Sequence, residues 1–141
     1  MMTVALQAES PSVSRPLPDR RAAVARSREL ALACANACDD FRGKGTVILN
    51  VSRITPLFDF FVITTGTNAR QMRAIAEGAD HAMKELGSRR QGADGRDSST
   101  WIAQDYGDVV LHIFNPEARG LYDLEHLWGD AERIDWSPEK Q

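Results

Sequence analysis

Apolar residues recur at intervals of three, four and seven along two stretches of the chain, which is the period of an amphipathic helix. The first stretch begins at Asp19, a candidate N-cap, and runs to about Arg42. Its apolar face is Val24, Ala31, Cys34, Cys38 and Phe41. The second begins at Asn68, which has capping-box spacing to Gln71, and ends at Gly87. Its predicted buried face is Met72, Ile75, Ala76, Ala79, Met83 and Leu86.

Other runs have the pattern of strands. Residues 46–51 are β-branched and apolar, and residues 59–65 resemble a central strand covered on both faces. Residues 101–114 predict a β-hairpin, and residues 133–136 can add an edge strand. A short helix is predicted to begin at Asn115, followed by proline. Its apolar stripe is Leu121, Leu124, Leu127 and Trp128. The order α, β, β, α, β, β, α predicts a layered α/β domain with a mixed sheet flanked by helices.

The hairpin follows a polar loop at residues 88–99 and carries two features that suit a binding surface. A two-residue turn at positions 106–107 would place Asp105 opposite Asp108, and like charges in that position destabilise a sheet. Trp101 and Tyr106 are large amphipathic rings of the kind enriched at binding hot spots. An aromatic anchor beside an acidic pair would suit a basic partner. A core tryptophan beside solvated turn aspartates is the alternative, and the residues alone leave both open.

Composition and charge narrow the class of protein. The chain has 141 residues, enough for one domain at residues 19–136 between a disordered tail at 1–18 and a short tail at 137–141. A net charge of −3 gives no reason to expect DNA or anionic lipid as a partner, and no apolar run predicts a membrane span. Cys34 and Cys38 are expected to be reduced core thiols.

Candidate catalytic groups do not assemble into a recognisable constellation. The turn at residues 66–70 could hold an anion on backbone N–H groups, but it lacks a phosphate-loop lysine and helix capping is favoured. Asp105 and Asp108 could be imagined as magnesium ligands, yet they are three apart on opposite sides of a turn, without an obvious third acid. The histidines lack ligand spacing; they are His81, His112 and His126. We therefore expect no metal, no cofactor and no enzymatic activity.

Three segments of the chain resemble the ribosomal silencing factor family, also called Iojap-like proteins. They are LFDFFVITTGTNARQMRAIAE at Leu57–Glu77, the hairpin and following helix at Trp101–Trp128, and, more weakly, TVILNVSRIT at Thr46–Thr55. The ordered motifs D-x-F-V-I-x-x-G-T-x-x-R-Q, W-x-x-x-D-Y-G-D-V-V-x-H and Y-D-L-E-x-L-W carry the resemblance. The resemblance implies a nucleotidyltransferase-like fold without the catalytic acids; a metal-dependent nucleotidyltransferase is the alternative.

The same resemblance implies a function. Family members bind the large ribosomal subunit through its ribosomal protein number fourteen and sterically prevent the small subunit from joining. By position, the docking surface would comprise Trp101, Asp105, Tyr106 and Asp108, with Arg70 as a neighbour. The resemblance also makes a homodimer plausible. The expected location is the cytoplasm, with a mitochondrion or plastid as the alternative.

Overall fold

Six strands form one sheet in the computed structural model, which describes residues 17–136. The strands are β1 (Lys44–Asn50), β2 (Phe60–Thr65), β3 (Gly92–Asp94), β4 (Trp101–Asp105), β5 (Val109–Phe114) and β6 (Glu132–Ile134). The helices are α1 (Leu17–Asp40), α2 (Ala69–Glu85), α3 (Pro116–Tyr122) and α4 (Leu124–Leu127). The mixed sheet flanked by helices confirms the predicted class.

The predicted boundaries need two corrections. Helix α1 begins at Leu17 rather than after an Asp19 cap, because Pro18 is compatible with the first turn, where its missing N–H has no intrahelical acceptor. The predicted tails otherwise lie outside the described residues. Residues 92–94 form a short edge strand within the predicted loop, because their backbone pairs with β4 from Asp105 to Ala103.

The strand order is β3-β4-β5-β2-β1-β6, and among the described strands β2 and β5 are the only parallel neighbours. Strand β2 therefore lies inside the sheet, and its residues 60–64 are all buried, which confirms the predicted central strand. Strand β6 pairs with β1 and confirms the predicted edge strand, with bounds shifted to residues 132–134.

Each face of the sheet has its own apolar core. Helices α1 and α2 cover one face, where they bury Val62 and Leu111; α3 and α4 cover the other, where Phe61 lies. Phe41 and Leu86, which the spacing predicts to be buried, are 44% and 43% exposed. Both lie one residue beyond the end of their helix, where the helical period no longer applies.

Gln71 joins the end of α1 to the start of α2. Its backbone N–H donates to Asn68 Oδ1 at 2.8 Å, which confirms the predicted cap. Its side-chain oxygen accepts from the Thr67 N–H at 2.6 Å, one residue earlier than in a standard capping box. Its Nε2 donates to the Arg42 carbonyl at 2.9 Å. One side chain therefore satisfies backbone groups at both helix ends.

The variant Gln71→Ala should lower the free energy of unfolding by about 1–2 kcal/mol, because the Thr67 N–H and the Arg42 carbonyl lose their hydrogen-bond partner. Urea unfolding measures the change. Glu77→Ala is the matched control: Glu77 is an exposed residue of the same helix, and its loss should change stability by less than about 0.5 kcal/mol. Equal effects of the two substitutions would show that the hydrogen bonds of the Gln71 side chain contribute nothing measurable to stability.

Candidate functional site

The hairpin is paired two residues away from the predicted register. Trp101 lies opposite Phe114 and Asp105 lies opposite Val110, so the turn is formed by Gly107 and Asp108. Gly107 has φ +94°, a conformation that glycine adopts without strain. The Gly107 N–H also donates to Asp105 Oδ1 at 2.7 Å. The predicted Asp105–Asp108 pairing is therefore wrong.

Trp101 lies on the face covered by α3 and α4, and it is partly exposed. Its ring packs against Phe114 and Tyr122, at centroid distances of 5.0 and 4.8 Å, and those two rings also contact each other at 6.0 Å. Its indole N–H donates to His112 Nδ1 at 3.1 Å. Trp101 is thus held in one orientation while part of it remains accessible to a partner.

Asp105 and Tyr106 are buried at the other end of β4. Burial raises the pKa of Asp105, and the hydrogen bond from Gly107 only partly opposes it. The Tyr106 hydroxyl donates to Asp80 Oδ1 at 3.0 Å and accepts from Gln104 Nε2 at 2.9 Å. Burial also raises the pKa of Tyr106, whose ring belongs to the core beneath α1 and α2. Both side chains fix the end of the hairpin rather than projecting from it.

The five residues singled out from the sequence do not form one cluster. An open cleft of about 570 Å³ lies near the starts of β4 and α2, where Trp101 and Arg70 are found, although neither of these two side chains lines it. This cleft is lined by Thr67, Asn68, Ala69, Ser99, Asn115, Pro116 and Glu117. The other three residues lie at the far end of the hairpin. Asp105 is four residues after Trp101, which corresponds to about 13 Å along an extended strand, and Tyr106 and Asp108 follow it. Arg70 is exposed and Asp108 is half-buried.

The exposure of apolar residues on α3 and α4 was missed by the sequence prediction, which placed Leu121 and Leu127 in one continuous helical stripe. Leu121 is 78% exposed, Tyr122 48% and Leu127 72%. The stripe is interrupted at Asp123, which has φ +44° and accepts a hydrogen bond from the His126 N–H at 3.3 Å. Asp123 thus ends one short helix and caps the next. An aspartate N-cap signal inside the stripe could have revealed this break.

The surroundings of these apolar residues are acidic. Residues 115–132 contain one arginine and no lysine. They contain five acidic residues: Glu117, Asp123, Glu125, Asp130 and Glu132. We call this segment, together with Trp101, the apolar–acidic surface. Such a surface suits a partner that is both basic and able to cover exposed apolar groups.

One arginine anchors α3 and α4 to the sheet. The Arg119 guanidinium donates to Thr65 Oγ1 at 2.8 Å, to the Gly45 carbonyl at 2.7 Å and to Glu125 Oε1 at 2.9 Å. The hydrogen bond from Arg119 holds the pKa of Glu125 below its usual value. The orientation of the apolar–acidic surface therefore depends on this side chain.

Among the described residues, the candidate metal-binding groups are not brought together. Within residues 17–136, no three His, Cys, Asp or Glu side chains are placed to hold a metal ion. Asp105 ends a strand and Asp108 lies in the turn, so they do not share one strand as paired metal ligands would. Cys34 and Cys38 are buried free thiols, and the hydrogen bond that the Cys38 thiol makes with Cys34, together with burial, raises the pKa of Cys38. No helix in the described range is long and apolar enough to cross a membrane.

Comparison with known proteins gives a consistent result. The family model "Ribosomal silencing factor during starvation" matches residues 24–141. A ribosomal silencing factor of Bacillus subtilis is 38% identical over 101 residues, which cover 72% of this chain and 86% of that protein. A chloroplastic Iojap protein of Zea mays is 31% identical, covering 74% and 46% of the two chains. A crystal structure of a Chromobacterium violaceum protein, 34% identical, superposes with a TM-score of 0.70 and covers 78% and 91% of the two chains.

Proposed function

The chain belongs to the ribosomal silencing factor family, and from this premise we propose that it binds ribosomal protein number fourteen of the large subunit. A ribosome-associated silencing role follows from the family. In the proposed mechanism the bound protein occupies the face of the large subunit that meets the small subunit. Two bodies cannot occupy that face together, so joining is blocked without any bond being made or broken.

The observation that carries this proposal is the apolar–acidic surface. Leu121 and Leu127 expose more than two thirds of their area, although adjacent residues of the same short helices are packed. Their burial against a partner would remove apolar area from water, which is the main source of affinity in protein complexes. The acidic residues around them would attract a basic ribosomal protein and speed its approach.

Trp101 and Asp108 are the proposed direct contacts among the residues predicted from the sequence. Trp101 is partly exposed and continues the surface through its contact with Tyr122. Asp105 and Tyr106 would act from below by fixing the turn that carries Asp108. Arg70 would border the contact across the cleft, since Ala69 lines it.

A second copy of the chain could cover the same apolar side chains, so a homodimer would compete with the ribosome for them.

The proposed site of action is the bacterial cytoplasm, because relatives in Bacillus subtilis and Chromobacterium violaceum match over most of their length. A chloroplastic relative makes a plastid the alternative.

Sucrose-gradient sedimentation of purified subunits tests the proposal. Added in excess over large subunits, the protein should migrate with them and reduce the fraction that joins small subunits. The protein should not migrate with small subunits alone. Large subunits lacking ribosomal protein number fourteen should bind it much more weakly, because the proposed partner is missing. Unchanged joining in the presence of bound protein would contradict the steric mechanism, and absence of binding would contradict the proposal as a whole.

A further inference from the structure

His112 is a buried imidazole whose surroundings are mostly aromatic. It is 3% exposed, and its ring meets Phe61 edge-on at a centroid distance of 5.1 Å and stacks on Phe114 at 6.2 Å. Burial lowers the pKa of His112 to about 3, so the imidazole is neutral under physiological conditions. Its Nε2 is buried without a hydrogen-bond partner among residues 17–136.

The hydrogen bond with Trp101 determines which nitrogen of His112 carries the proton. Because Nδ1 accepts from the indole N–H at 3.1 Å, the proton of the neutral ring resides on Nε2. That arrangement leaves a buried donor unsatisfied, which disfavours the fold. A phenylalanine would fit this aromatic environment without the penalty, so packing alone does not account for a histidine at this position.

We infer that His112 is a positioning residue, which holds the Trp101 indole in its docking orientation through the hydrogen bond to Nδ1. The inference rests on the proposed function, in which Trp101 contacts the ribosomal protein. Trp101 also packs against Phe114 and Tyr122, but these tilted ring contacts are not directional bonds and permit the indole to slide and rotate. A directional hydrogen bond removes that freedom before the partner arrives. Less conformational entropy is then lost on binding.

Two substitutions separate this positioning role from a structural one. His112→Phe keeps a buried ring, removes the unsatisfied Nε2–H and leaves the indole N–H without its acceptor. His112→Asn keeps an acceptor, since asparagine Oδ1 is as many bonds from Cα as histidine Nδ1, but it loses much of the ring's packing. We expect His112→Phe to unfold at no lower urea concentration than the wild type, and His112→Asn to unfold at a lower one.

Binding to isolated large subunits should follow the opposite order. His112→Phe should bind about three- to tenfold more weakly, which is the range expected for losing one positioning hydrogen bond. His112→Asn should bind within about twofold of the wild type when measured under conditions where both are folded. If His112 affected binding only through the stability of the fold, His112→Asn would be the variant that binds large subunits more weakly.

Nuclear magnetic resonance of the indole N–H groups reports on the bond directly. The Trp101 resonance, identified by its absence in Trp101→Phe, should move in His112→Phe and stay near its wild-type position in His112→Asn. The indole N–H of Trp136 donates to the Thr46 carbonyl at 2.9 Å and serves as the reference that should not move.

Three outcomes would overturn the inference, and they are distinguishable from one another. Wild-type protein that does not bind large subunits would remove the proposed function and this inference with it. If His112→Phe binds large subunits as tightly as the wild type although its Trp101 resonance is shifted, only the inference is overturned. An unshifted Trp101 resonance in His112→Phe would show that the hydrogen bond does not hold the indole.

Discussion

A variant carrying both Leu121→Arg and Leu127→Arg should bind large subunits at least about a hundredfold more weakly than the wild type, because burial of each leucine is worth roughly 1.5–3 kcal/mol. Each arginine would also bring a positive charge towards a basic partner. Both leucines project into solvent, so the free energy of unfolding should be nearly unchanged. Sedimentation with large subunits measures the binding, and urea unfolding measures the stability.

Leu86→Arg is the matched control for this double variant. Leu86 is also an exposed leucine, but it follows α2, which covers the opposite face of the sheet. It should leave binding within about twofold, since only contacts inside the interface contribute to affinity. If the double variant binds like the wild type, the ribosome does not dock on α3 and α4. If Leu86→Arg weakens binding equally, the effect reflects total charge rather than this surface.

The variant Arg119→Ala should lower the free energy of unfolding by about 2–4 kcal/mol at neutral pH, because it breaks a partly buried ion pair and leaves several acceptors unmet. The acceptors that lose their donor are Thr65 Oγ1, the Gly45 carbonyl and both carboxylate oxygens of Glu125. Helices α3 and α4 are too short to be stable without such contacts. Urea unfolding measures the change in stability.

Arg133→Ala provides the comparison for Arg119→Ala. Arg133 also approaches Glu125, at 3.4 Å, but its side chain is 61% exposed against 17% for Arg119. An exposed ion pair of this kind contributes about 0–1 kcal/mol, so Arg133→Ala should have a small effect. Equal losses in the two variants would mean that charge near Glu125 matters and that the anchoring hydrogen bonds do not.

The same ion pair predicts a pH dependence. The folded pKa of Glu125 lies below its unfolded value of 4.5, so the unfolded chain binds the proton more readily. The stability contributed by the pair is therefore complete above pH 4.5 and is lost as the pH falls through the folded pKa. Arg119→Ala should lack this acid-side loss. The difference in unfolding free energy between wild type and variant should consequently shrink as the pH is lowered from 6 towards 3.

Local patterns were sufficient to predict most of the fold. The period of the apolar residues identified α1 and α2, and the continuous apolar run at residues 60–64 identified β2 as a central strand. Asn68 and Asn115 both cap helices as their positions predicted. These features depend on neighbours within about four residues, and the backbone hydrogen bonds of a helix or a cap are made over the same short range. The ordered motifs likewise identified the family, because they are properties of the sequence itself.

The candidate site depended on contacts that no local pattern contains. The hairpin turns at positions 107–108, where Gly107 has a positive φ, and this register separates Asp105 from Asp108. The burial of Tyr106 required Asp80, which lies 26 residues earlier in the chain.

The sequence by itself determined helices α1 and α2, the central strand β2 and the family of this protein. Only the tertiary structure decided which aromatic and apolar side chains reach solvent. Exposure depends on what packs above a residue, and Leu121 has the same local apolar spacing whether the next helix continues the stripe or turns away at Asp123. Trp101 shows the same dependence, because its partial exposure is set by Tyr122 and its orientation by His112, both brought to it by the fold.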